Sequence, residues 1–67
     1  MRLNLHYRGK LIPLDIDKEE ITVRDILNKL NLSRDYAFVI VNGEIVGEHQ
    51  VVSAQDDIKV INAISGG

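Results

Sequence analysis

The start of the sequence changes from a period of two residues to a helical period, and this order limits the folds that the chain can adopt. Residues 2–7, RLNLHY, place apolar side chains on one side and polar side chains on the other, which is typical of a half-buried strand. Gly9 lies where a hairpin should turn, and residues 11–16 repeat the alternation. Pro13 has no N–H to donate to a ladder, so this second strand is predicted at a sheet edge.

A short amphipathic helix is predicted over residues 23–31. Thr22 is a good N-cap residue, and Asp25 follows at the third helical position, which makes an approximate capping box. Apolar residues then recur at helical spacing as far as Leu30. Because this helix follows the first hairpin, it has to cover one face of a sheet, and the fold class is a two-layer α+β domain.

The second half of the chain predicts the rest of the sheet. Residues 36–41, YAFVIV, are β-branched and aromatic, and Asn42-Gly43 is a strong signal for a two-residue hairpin turn. Residues 44–46 return as a short strand, and residues 58–64 predict the last strand. A chain of 67 residues has room for one core, so a single domain is expected over 1–67.

Composition argues against several classes of function. The formal net charge is −2, with eight basic and ten acidic residues, and the sequence gives no concentrated basic face for nucleic acid. The chain has no cysteine, and therefore no disulfide and no thiolate metal site. The longest uninterrupted apolar run, residues 37–41, is too short to span a membrane. We expect a cytoplasmic protein without direct nucleic-acid or membrane partners.

The polar residues suggest neither a metal site nor a catalytic set. His6 and His49 are far apart and lack ligand spacing to other residues. The acidic run DIDKEE at 15–20 lacks the spaced ligands and the glycine of a calcium loop. No Ser/His/Asp set has informative spacing, and no glycine-rich phosphate loop is present. No metal ligand and no catalytic residue are therefore predicted.

The element order, VNGEIV at 41–46 and the ending AISGG at 63–67 together resemble the ThiS/MoaD family of small sulfur carriers. More loosely, they resemble ubiquitin-like modifiers, including small archaeal ones. The resemblance implies a β-grasp, or ubiquitin-like, fold. In that fold a mixed four- to five-stranded sheet packs on one short helix, and the first and last strands lie side by side in parallel. One departure is Asp56-Asp57, where the family often carries Gly-Asp before the last strand.

The resemblance implies that function resides in a flexible tail, residues 64–67. An ATP-dependent activating enzyme would adenylate the carboxylate of Gly67, and sulfur transfer would give a thiocarboxylate. Gly66, which has no side chain, would precede the reactive Gly67, and Ser65 would lead the chain off the sheet. Glycine has no Cβ, so such a tail could enter a narrow active site. The protein itself would be a carrier without a bound cofactor, and ATP would be used by its partner.

The partners implied are the activating enzyme and a sulfur-accepting synthase for thiamin or molybdopterin, or a tRNA thiolase. If the activated carboxyl reacts with a lysine instead, the partners include target proteins and a deconjugating protease, and the product is an isopeptide bond. Lys59, on the last strand, is a candidate acceptor for the carboxyl of another modifier. The alternative function is a non-covalent β-grasp interaction module whose tail is inert.

The strand at 36–41 has no polar alternation, so apolar side chains must point to both faces of the sheet. One set should pack on the helix, and the other should form an exposed patch for a partner. A two-residue turn pairs Val41 with Glu44 on one face. This interpretation places both residues outward, together with Val39.

Family patterns give the opposite assignment, with Val39 and Val41 inward and Phe38 and Ile40 exposed. The sequence alone leaves both assignments open. In either case the predicted partner-binding patch continues onto the last strand, at Ile61, Ala63 and Ile64.

Overall fold

A computed structural model describes residues 1–63, and the predicted tail, residues 64–67, lies outside the described residues. Five of the strands form one mixed sheet in the order β2-β1-β7-β4-β5; β1 runs parallel to β7, and the other pairs are antiparallel. This topology confirms the predicted β-grasp fold. The elements are β1 (Arg2–Tyr7), β2 (Lys10–Asp15), β3 (Ile21–Thr22), α1 (Val23–Lys29), β4 (Ala37–Val41), β5 (Glu44–Val46), β6 (Val51–Val52) and β7 (Ile58–Asn62).

Two tight turns set the register of the sheet. The pairs Arg8-Gly9 and Asn42-Gly43 both have positive φ at each residue, as a two-residue hairpin of the preferred twist requires. The first turn pairs Tyr7 with Lys10 and leads into β2, which lies at the sheet edge where its Pro13 needs no ladder partner on the outer side. The predictions of both hairpins and of the edge strand are confirmed.

The Asn42 turn is also tied to the loop before β7. Its side-chain Nδ2 donates to Asp56 Oδ1 at 3.0 Å, and its Oδ1 accepts from the Asp57 N–H at 2.9 Å. Asp56 Oδ2 in turn accepts from the Ser53 N–H at 2.8 Å, and this hydrogen bond lowers the pKa of the Asp56 carboxyl. The departure from Gly-Asp in this loop therefore supplies a side chain that holds two turns together.

The helix α1 begins at the predicted capping box. Thr22 Oγ1 accepts from the Asp25 N–H at 3.3 Å, and Asp25 Oδ2 accepts from the Thr22 N–H at 2.9 Å. Two more N–H groups of the first turn donate to backbone carbonyls in the β5–β6 loop, Val23 to Gln50 and Arg24 to Glu48. The backbone N–H groups at the helix start are thus hydrogen-bonded both by the capping box and by the β5–β6 loop.

The helix ends at Lys29, two residues before the predicted end. Asn31 has φ 58°, and its N–H donates to the Asn28 carbonyl. The Leu32 N–H donates to the Leu27 carbonyl, so the two bonds form a Schellman motif with Asn31 in the left-handed position. Leu30 and Leu32 still pack against the core, which is why the apolar period extends past the helix.

The strands β3 and β6 were not predicted and form a separate two-stranded sheet, with Ile21 paired to Val52. They connect the helix start to the β5–β6 loop.

The main core lies between α1 and one face of the five-stranded sheet, and no polar side chain is buried among the described residues. The buried residues are Leu3, Leu5, Leu14, Ile21, Val23, Ile26, Leu27, Ala37, Val39, Val41, Val52, Ile58 and Val60.

Asp25→Asn is expected to lower the free energy of unfolding at neutral pH. In this variant the free energy of unfolding should also fall less steeply as the pH is lowered. The pKa of Asp25 is lowered first by the Thr22 N–H and next by Lys18 Nζ, which lies 2.9 Å from Oδ2. A depressed folded pKa stabilises the protein above the unfolded value, about 3.9, and this contribution is lost as pH falls through the folded pKa. Urea unfolding at neutral pH and in acid measures both effects.

The matched control is Glu19→Gln, which removes an exposed carboxylate at the same helix entry. It should change the free energy of unfolding by less than about 0.5 kcal/mol. If the free energy of unfolding fell equally steeply with decreasing pH in wild type and in Asp25→Asn, the stabilising role of the Asp25 carboxylate would be contradicted.

Candidate partner-binding face and reactive tail

The central strand β7 carries the chain toward the predicted tail. It lies between β1 and β4, and the chain continues past Asn62 to Ala63, whose N–H donates to the Tyr36 carbonyl at 2.6 Å. The described chain therefore leaves the sheet at the end formed by the last residues of β1 and the first residues of β4. The reactive residues of the sequence prediction lie outside the described residues: Ile64, Ser65, Gly66 and Gly67.

An apolar patch lies on the sheet face opposite the helix. Directly paired residues share a face, so the pairs Phe38–Ile61 and Ile40–Ile45 lie together. Ile45 is 70% exposed and Ile61 is 39% exposed, while Phe38 and Ile40 are half-buried. We call these four residues the open-face patch. The Phe38–Ile61 pair borders the end of β7, next to the point at which the tail begins. Ile40 and Ile45 lie at the level of Lys59, two residues earlier along β7.

The other assignment of the β4 faces is wrong. Val39 is 0% exposed and Val41 is 8% exposed, and both pack in the core under the helix. The pairing of Val41 with Glu44 was predicted correctly, but it does not mean that Val41 faces outward. Glu44 lies on the edge strand β5, where solvent reaches a side chain on either face, so a charged partner there carries no information about direction.

Sequence reasoning missed two exposed members of this surface. Ile45 follows from the two-residue turn, because pairing 41 with 44 places 40 opposite 45 on the same face. Tyr36, 54% exposed, precedes β4 and contacts Ala63 through the backbone. Ala63 is exposed, as the predicted patch requires.

The predicted acceptor Lys59 lies inside this surface. It pairs with Ile40 on one side and with His6 on the other, and its side chain is exposed. His6 Nε2 lies 3.8 Å from Asp57 Oδ1. A partner that covers the open-face patch would therefore also cover Lys59, so docking there and modification of Lys59 would exclude one another.

A groove of about 270 Å³ lies on the other side of β4, next to the helix. Its charged side chains are the ion pair of Arg34 with Glu48, in which Arg34 lowers the pKa of the Glu48 carboxyl. This pair provides neither a nucleophile nor a matched acid and base. Within residues 1–63 no group of three or more His, Asp or Glu is arranged to hold a metal ion.

No helix in the described part of the chain is long and apolar enough to cross a membrane.

Comparisons with known proteins agree with this geometry. The model of the ThiS family matches residues 5–67, nearly the whole chain. The structure of SAMP1 from Haloferax volcanii superposes with a TM-score of 0.69 at 19% identity and covers all of both chains. The structure of the thiamine biosynthesis protein ThiS from Geobacter metallireducens gives a TM-score of 0.61 at 27% identity, covering 97% of this chain and 100% of that one. The chain therefore belongs to the ThiS family and is a ubiquitin-like sulfur carrier with the β-grasp fold.

Proposed function

We propose that the carboxylate of Gly67 is the reactive group of this carrier and that an ATP-dependent activating enzyme adenylates it. A carboxylate oxygen attacks the α-phosphorus of ATP, and pyrophosphate leaves. A sulfur nucleophile at the oxidation level of sulfide then displaces AMP, which yields a thiocarboxylate. In the second branch of the proposal a lysine amine displaces AMP and forms an isopeptide bond. The chain is the substrate in both branches and binds no cofactor of its own.

The observation that carries this proposal is the exit of the chain beside the open-face patch. Ala63 makes the last described backbone hydrogen bond, and four residues follow it in the sequence. Four residues span at most about 14 Å when fully extended. That reach lets a partner hold the folded domain by the patch while its own active site, a short distance away, receives Gly67.

The patch is proposed to serve the activating enzyme and then a sulfur-accepting synthase or tRNA thiolase. For the conjugation branch we propose target proteins and a deconjugating protease as further partners, with Lys59 as one acceptor. These steps are proposed to take place in the cytoplasm. Thiamin, molybdopterin and tRNA thiolation remain alternative destinations of the sulfur, since the partner enzyme decides among them.

The proposal is tested with the purified activating enzyme of the same organism and ATP. We expect pyrophosphate exchange that depends on the chain, and a mass shift confined to the peptide that contains Gly67. The matched control is the same chain with the Gly67 carboxylate amidated, which keeps every residue and removes the nucleophile. Exchange that continues with the amidated chain would refute activation at Gly67.

A second candidate function is a non-covalent interaction module. The open-face patch favours it equally, because a patch can bind a partner without any chemistry at the tail. The two functions differ in whether the amidated chain still acts in the cell.

A further inference from the structure

The two hairpin turns of the main sheet have nearly the same backbone but different first residues. Asn42 and Gly43 have φ 52° and 85°, and Arg8 and Gly9 have φ 54° and 77°. Asparagine is favoured in the left-handed region, whereas a long side chain adopts it at an energetic cost. Arg8 therefore occupies a position where asparagine would suit the turn better. Backbone strain of this kind clusters at functional sites.

Arg8 lies beside the base of the tail. Tyr7 pairs with Val60 in the parallel ladder between β1 and β7, so the next residues, Arg8 and Ile61, are at the same level of the sheet. Neighbouring strands are about 5 Å apart. Lys10 follows on β2, opposite Tyr7. Both cationic residues are exposed, and within residues 1–63 neither takes part in an ion pair.

Four carboxylates of the strands and their turns lie at the opposite end of the sheet. Strand directions place the end of β2, the β4–β5 turn and the start of β7 together there, with Asp15, Glu44, Asp56 and Asp57. Near the tail end, Glu48 pairs with Arg34, and Asp35, just before β4, is an exposed carboxylate. Among residues 1–63 the far end therefore carries more carboxylates, while at the tail end the two cationic side chains outside any ion pair, Arg8 and Lys10, outnumber Asp35.

We propose that Arg8, supported by Lys10, docks on an acidic segment at the surface of the protein that receives the tail. Rim charges of this kind raise association rates and set orientation. The acidic far end of the domain would be repelled from such a surface, so the tail end approaches first. The far-end carboxylates also disfavour a nucleic-acid partner, whose phosphates would repel them. This proposal rests on the proposed function, since the receiving protein is the activating enzyme.

The test is the variant Arg8→Asn, measured against the purified activating enzyme without ATP at low and at high ionic strength. We expect the melting temperature to rise by a few degrees because the turn is relieved. We expect Kd to weaken about three- to tenfold at low ionic strength, and the difference to shrink as salt screens it. Arg8→Lys should retain most of the affinity.

The matched control is Arg2→Asn, which removes the same charge at the opposite end, where Arg2 pairs with Asp15 in the ladder. Its Kd should stay within about twofold of wild type, because its distance from the tail exceeds the Debye length of about 10 Å at moderate salt. Unchanged affinity of Arg8→Asn at low ionic strength would overturn the proposal, as would an equal loss in Arg2→Asn. Binding of the wild type without subsequent adenylation would refute the proposed function and leave the docking contact standing.

Discussion

Deletion of Gly67 is expected to abolish activation by the adenylating enzyme while the fold and its melting temperature stay unchanged. The deletion leaves a carboxylate on Gly66, but it withdraws the reacting carbonyl by one residue, about 3.4 Å. Misplacement by even 1 Å can reduce a rate about 100-fold. A loss of at least that size is expected in chain-dependent pyrophosphate exchange.

Stability should not change, because the buried core lies entirely within residues 3–60. Thermal unfolding followed by circular dichroism measures this. A control variant, Ser65→Ala, keeps the tail length and should retain most of the activity. Undiminished pyrophosphate exchange with the Gly67-deleted chain would contradict Gly67 as the reacting residue. Full cellular function of that chain would favour the interaction module with an inert tail.

Ile40→Asp is expected to weaken binding of the activating enzyme about 10- to 100-fold, in the range of a central interface residue. The change places a charge in the open-face patch, where the partner would have to desolvate it. The fold should tolerate it, since Ile40 is half-buried and its ladder partner Lys59 offers an opposite charge. Kd measured by titration calorimetry, with the melting temperature measured in parallel, separates binding from folding.

The neighbouring variant Val39→Asp should give the opposite result. Val39 is 0% exposed, and a buried, unpaired carboxylate costs about 3 kcal/mol or more. A domain of this size has a total stability of roughly 3–10 kcal/mol, so this variant should be largely unfolded. If Ile40→Asp unfolded the domain and Val39→Asp did not, the assignment of the two faces of β4 would be wrong.

Several elements could be predicted from the sequence because single residues determine them. Asn42 and Gly43 both accept positive φ, so their turn needed no tertiary information. Thr22 and Asp25 satisfy each other's backbone N–H groups, so the helix start followed from local chemistry. Pro13 lacks a donor and was correctly placed on an edge strand.

Other features depend on contacts that no local pattern encodes. The strands β3 and β6 have two residues each, too few for any period, and they exist because Ile21 and Val52 pack in the shared core. The helix end was predicted two residues too late because Leu30 continues the apolar period beyond Lys29, the last helical residue.

The candidate site was predicted in outline only. Val39 and Ile40 are equally apolar, so the sequence does not show which of them faces the helix. That assignment depends on which face of the sheet the helix covers. Ile45 became part of the patch only after that choice. The cost of the left-handed backbone at Arg8 depends on the turn that the chain actually adopts.

The most direct test of the account is intact mass spectrometry of the protein from its native host, followed by tryptic mapping. We expect a fraction of molecules in which sulfur replaces one carboxylate oxygen at Gly67. In the conjugation branch we expect lysines that bear VINAISGG, the remnant left by cleavage after Lys59. An unmodified Gly67 and no such remnant, in cells with an active activating enzyme, would contradict it.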